Sequence, residues 1–78
     1  MLLEIITPET KMYKGEVKSV LLPGTNGFFE ILNNHAPIIS TLTAGQIRII
    51  NNNNQKELFD VNGGVVEMQN NNIIVLAD

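Results

Sequence analysis

The chain has 78 residues, 44% of them hydrophobic and only 5% aromatic, and it carries a net charge of −3. That length holds one domain, residues 1–78, which buries only about 60% of its unfolded surface and so leans on efficient packing or on partners. Five scattered basic residues argue against nucleic acid as a partner, the lack of cysteine removes disulfides and thiolate metal sites, and no apolar run reaches the roughly 20 residues that direct membrane insertion needs.

Taken in order, the chain reads as strands. Leu2–Thr7 is a β-branched run stopped by Pro8, which has no N–H for a ladder. Lys11–Gly15 is a short second segment, and Glu16–Leu22 alternates polar and apolar residues in its first part. Pro23 fixes φ and Gly24 opens the left-handed region, so this pair predicts a sharp turn, and Gly27 predicts a second reversal. Phe28–Leu32 is extended. Unless a bulge turns both phenylalanines inward, one of Phe28 and Phe29 must face away from the core. Asn33–Pro37 is another turn, because Ala36 before Pro37 is pushed out of helical geometry.

Ile38–Leu42 follows, with Gly45 as a turn residue before Gln46–Ile50, whose polar residues alternate with isoleucines. Asn51–Asn54 reads as a hairpin loop, since Asn accepts left-handed φ more readily than most residues. Lys56–Val61 and Val65–Gln69 flank Gly63-Gly64, which reads as a bulge or a corner where the chain changes sheet. Asn70-Asn71 turns the chain into Ile73–Leu76. Nine short strands with no helical window predict an all-β fold, an antiparallel sandwich of two sheets with about ten strands. Paired apolar residues (Ile5-Ile6, Leu21-Leu22, Ile38-Ile39, Ile49-Ile50) blur the alternation and fit a sandwich whose outer face is also covered.

Catalytic chemistry finds no foothold. His35 is the single histidine, so no histidine pair can hold a metal. Ser19 and Ser40 lie outside any nucleophile elbow, and a triad of Ser40, His35 and Asp60 is only a paper construction. No phosphate loop is present, and Gly24-Thr-Asn-Gly27 falls short of a dinucleotide fingerprint. The carboxylates are dispersed. The chain reads as a non-enzyme with no cofactor and no small-molecule substrate.

Leu22-Pro-Gly24, Gly27, Ile31-Leu-Asn-Asn-His-Ala-Pro37 and Leu42-Thr-Ala-Gly45 resemble the epsilon subunit of bacterial F-type ATP synthase. The match continues through Gly45–Ile49, Gly63–Met68 and Val75–Asp78, over essentially the whole chain. The resemblance implies a non-catalytic central-stalk subunit that links the gamma shaft to the membrane c-ring of a proton-translocating synthase. It implies a peripheral position on the cytoplasmic face of the bacterial plasma membrane. On the matching positions, Gly27, Phe28, Phe29, Glu30 and Ile31 are expected at the c-ring, and Thr7, His35, Ala36 and Pro37 at gamma. Pro23, Gly24, Gly45, Gly63 and Gly64 are expected to be structural turn residues. Phe28 stands where family members often carry an acidic residue, and Glu30 where they often carry glycine. Members usually continue into a helical hairpin, so the chain reads as the N-terminal domain alone, and braking or nucleotide sensing does not carry over.

Residue chemistry keeps an alternative in view, a lipoyl or biotinyl carrier module, also a small acidic β-sandwich. Such a carrier needs a lysine at a hairpin tip, and Lys11-Met12 and Lys56 do not meet the usual Met-Lys-Met or Asp-Lys-Ala pattern. His35 likewise admits two readings, a partner contact or a turn histidine that bonds the backbone.

Overall fold

Asparagine makes most of the reversals. Every non-glycine residue with positive φ is an asparagine: Asn34, Asn54, Asn70 and Asn71, at 64°, 63°, 53° and 61°. Its short amide side chain tolerates the left-handed region at low cost. Between these turns, a computed structural model describing all residues Met1–Asp78 shows six strands that take up 76% of the chain, with no helix. They are β1 (Leu2–Ile6), β2 (Lys11–Gly24), β3 (Gly27–Leu32), β4 (Ile38–Asn51), β5 (Lys56–Gln69) and β6 (Asn72–Ala77).

The strands form one hydrogen-bonded sheet in the order β1-β6-β5-β4-β2-β3, closed into a barrel by β1 pairing with β2. Fewer and longer strands than the sequence predicts arise because β2, β4 and β5 are each 14 residues long. Each long strand joins two of the short runs. Boundaries between the short runs are bends inside continuous strands: Gly15 and Glu16 in β2, Leu42–Gly45 in β4, and Gly63-Gly64 in β5. Pro23 and Gly24 belong to β2, in register with Phe28 and Gly27, and the turn itself is Thr25-Asn26. Gly45 pairs with Val61 inside β4. The fold is also not wholly antiparallel, since β1 runs parallel to β6.

A change of side-chain phase at each bend explains both results. In β2 the inward residues pass from Val17 to Val20 and Leu22, in β4 from Leu42 to Ile47 and Ile49, and in β5 from Val61 to Val66 and Met68. Side chains alternate with period two, so an odd step between inward residues marks a bulge or corner. Register shifts do fall between Val17 and Ser19 and between Leu21 and Gly24. Pairing accordingly divides into two walls. Wall two is β3, the second half of β2, the second half of β4 and the first half of β5. Wall one is the first half of β4, the second half of β5, β6, β1 and the first half of β2. The two-layer character read from the sequence thus survives as two walls of one closed sheet.

Sixteen buried hydrophobic residues fill the interior, almost all Ile, Val and Leu. Leu3, Ile5, Val20, Leu22, Ile31, Ile47, Ile49, Val66 and Val75 are wholly excluded from solvent. Each such side chain contributes about 1.5–3 kcal/mol of transfer free energy. Tyr13 and Phe59 close part of the interior, their rings tilted at 58° with centroids 5.5 Å apart.

Candidate functional site

With the interior packed by side chains, chemistry is left to the outside of the barrel. The residues of the paper triad are separated by the fold. Ser40 lies in β4 opposite Val66, Asp60 lies in β5 opposite Gln46, and His35 stands in the β3–β4 loop. Ser19 is buried at 6% exposure.

Wall one, made from β4, β5, β6 and β1, turns an apolar outer face to solvent. Ile6 lies beside Leu76, Leu76 beside Val65, and Val65 beside Thr41. In the next row Glu4 lies beside Ile74, Ile74 beside Glu67, and Glu67 beside Ile39. Ile39 is 72% exposed and Leu76 56%. Ile6, Ile39, Val65, Ile74 and Leu76 line one shallow apolar depression with Glu67. This face is not legible as a unit in the sequence, since its residues come from four strands. Its signal was the doubled apolar residues at Ile5-Ile6, Ile38-Ile39 and Ile73-Ile74, one member of each pair pointing inward and the other outward.

Wall two carries Phe28, Leu32 and Leu58 at 67%, 53% and 51% exposure. Across it, Glu30, Leu21, Arg48 and Leu58 stand in one register row. Arg48 Nη2 donates to Glu30 Oε2 at 2.6 Å, reaching over Leu21, which is half-buried between them. Glu30, at a position where glycine is the commoner expectation, therefore has a structural partner.

The residues expected at the c-ring divide by strand alternation. Phe28 faces solvent and Phe29 packs against the core. Ile31 is fully buried, so its side chain is a core element and not a contact, which corrects that expectation. Gly27 has φ of 120° at the hairpin tip. The tip is tied to wall one: Thr25 N–H donates to Thr41 C=O at 3.2 Å, and the two threonine hydroxyls are 2.9 Å apart.

The residues expected at gamma do not form one cluster. Thr7 Oγ1 accepts from Thr10 N–H and donates to Thr10 C=O, both at 3.1 Å, which closes the β1–β2 turn. His35, Ala36 and Pro37 are exposed in the β3–β4 loop, and His35 Nδ1–H donates to Ala36 C=O at 2.7 Å. That loop is pinned to the β5–β6 turn, where Asn34 N–H donates to Asn71 Oδ1 at 2.8 Å and Asn71 Nδ2 to Asn33 Oδ1 at 2.9 Å. Leu2 N–H donates to Asn71 C=O, so the loop sits beside the start of β1 and Thr7 follows its end. Four strand steps, about 13 Å, separate those ends. Wall one's apolar face lies between them.

A family model described as the ATP synthase delta/epsilon chain β-sandwich domain matches residues 1–78. The chain belongs to that family. An ATP synthase epsilon chain from Leptospira interrogans is 47% identical over 74 residues, covering 95% of this chain and 58% of the relative. One from Chlorobaculum tepidum is 36% identical over 76 residues, covering 97% and 86%. The chain thus spans little more than half the length of the Leptospira relative. A chain in the structure of the Euglena gracilis mitochondrial ATP synthase, an assembly of OSCP, F1 and c-ring, superposes with a TM-score of 0.90 at 16% identity, over 96% of this chain and 48% of that one. The delta/epsilon domain is part of a non-catalytic subunit, and membership replaces the carrier-module alternative. No lysine lies in any of the strand-to-strand turns: Lys11 opens β2 and Lys56 opens β5.

Proposed function

We propose that the chain is a non-catalytic rotor element of a proton-translocating F-type ATP synthase, joining the gamma shaft to the membrane c-ring. It works at the cytoplasmic face of a bacterial plasma membrane without entering the bilayer. The observation that carries this reading is the apolar outer face of wall one, Ile6, Ile39, Val65, Ile74 and Leu76. Contiguous exposed apolar surface on a small acidic domain marks a protein interface. Because it lies between Thr7 and the His35–Pro37 loop, this face is the natural centre of the gamma grip, with those two sites at its rim. Phe28, at the edge of the other wall, is the candidate ring grip. A closed barrel with a packed interior suits transmission of torque, since it has little internal freedom to absorb it.

The test is photo-crosslinking from single positions in the assembled synthase. A crosslinker at Leu76 is expected to capture gamma, and one at Phe28 to capture the c subunit. Recovery of neither partner from either position, in a complex that still contains the chain, would sink the proposal.

A further inference from the structure

Two Asn-Gly steps occur in the chain, Asn26-Gly27 and Asn62-Gly63. In such a step the main-chain nitrogen after asparagine is unusually accessible, because glycine carries no Cβ and its backbone moves freely. The fold treats the two steps differently. Asn26 is exposed in the two-residue turn between β2 and β3, and a Cβ built at Gly27 would meet nothing within 4 Å. Asn62 lies inside β5 in register with Ala44. Gly63 after it is buried, with space for a Cβ limited by Asp78 Oδ2 at 3.0 Å and Leu42 O at 3.3 Å. Its carbonyl also accepts from Asp78 N–H at 3.1 Å.

We propose that Asn26 is a site of spontaneous deamidation in the folded protein and that β5 protects Asn62. The Gly27 amide nitrogen attacks Asn26 Cγ, the Cγ–Nδ2 bond breaks, and Nδ2 leaves as ammonia with the amide proton. Water then opens the five-membered succinimide. Attack at Cγ gives aspartate, and attack at the main-chain carbonyl gives isoaspartate. The net change is amide and water to acid and ammonia, with no redox step. Either product adds a negative charge two residues before Phe28. Isoaspartate also inserts a methylene into the main chain of a two-residue turn whose ends, Gly24 and Gly27, are in register.

The folded chain is held at mildly alkaline pH, digested, and mapped by mass spectrometry, with methyl transfer by an isoaspartyl methyltransferase as a second readout. Asn26 is expected to convert at least about tenfold faster than Asn62, which reacts only through locally opened states. In urea the two rates are expected to converge to within about threefold. Asn26→Gln should abolish methyl labelling of the folded chain. Equal conversion of both sites in the folded chain would overturn the proposal. So would persistence of the Asn26 amide under conditions that convert it in urea.

Discussion

The two outer walls of the barrel expose similar numbers of large apolar side chains but differ in what surrounds them. On wall two, Phe28, Leu32 and Leu58 are interrupted by the Arg48–Glu30 pair, whose single contact over Leu21 sets the two charges against each other. On wall one, Ile6, Val65 and Leu76 run side by side across three strands. Covering the Ile6–Leu76–Val65 row removes apolar area from water while leaving Glu67 and the Glu4–Lys11 pair in the neighbouring row, whereas covering the centre of wall two strips water from the Arg48–Glu30 pair itself. Exposure alone therefore does not rank the walls. Continuity does.

The largest expected effect falls on the corner that gives β5 to both walls. Gly64 has φ of 144°, and a Cβ there would collide with the carbonyl oxygen of Leu76 and lie 2.9 Å from Ala77 Cα. Gly64→Ala is expected to cost about 3 kcal/mol or more in urea denaturation, from backbone strain and displacement of β6. A change below about 0.5 kcal/mol would mean that the corner relaxes freely and the walls are not mechanically joined there.

Next comes wall one itself. Leu76→Glu should leave the denaturation midpoint of the isolated chain almost unchanged, while weakening assembly into the synthase by about 2 kcal/mol, roughly thirtyfold. Normal assembly of this variant would break the comparison, because continuity would then not mark the grip.

Phe28→Ala on wall two is expected to leave the isolated fold stable and to loosen attachment to the ring by an amount on the order of 1–2 kcal/mol. Pull-down of ring subunits measures it. Unfolding of the isolated variant would show that Phe28 supports the barrel despite its exposure.

The smallest effect concerns the interior between the walls. Burial, with the nearby Glu57 carboxylate adding to it, raises the Tyr13 hydroxyl above its ordinary 10.0. The folded state therefore holds this proton more tightly than the unfolded chain does. The associated stability is complete below pH 10 and is lost as pH rises through the folded value. Tyr13→Phe should flatten that alkaline loss in denaturation midpoints measured against the parent. Identical alkaline limbs would place the hydroxyl in a water-like setting.

Part of where these residues lie in the fold was legible in the sequence, and the exceptions have a common cause. Strand alternation requires that one of Phe28 and Phe29 face outward, and the structure shows that it is Phe28. Ile31 departs from the contact expected for its loop because strand alternation gives its side chain to the core. Thr7 and His35 were grouped by expected partner. Their separation depends on β1 lying parallel to β6 and on Asn71 pinning the β3–β4 loop, pairings remote in sequence.

By itself, the sequence determined that the chain is all-β, that Asn51–Asn54 and Asn70-Asn71 are reversals, that its core is aliphatic, and that Gly63-Gly64 is a bulge or a corner. These are local properties, set by φ preferences and by which side chains can be buried. Only the tertiary structure decided that nine runs are six strands, that the sheet closes through β1 and β2, and that Ile6, Ile39, Val65, Ile74 and Leu76 share one face. At each bend the inward phase shifts by one residue while hydrogen bonding continues. A local pattern reads that shift as an end, and only the paired neighbour shows that the strand goes on.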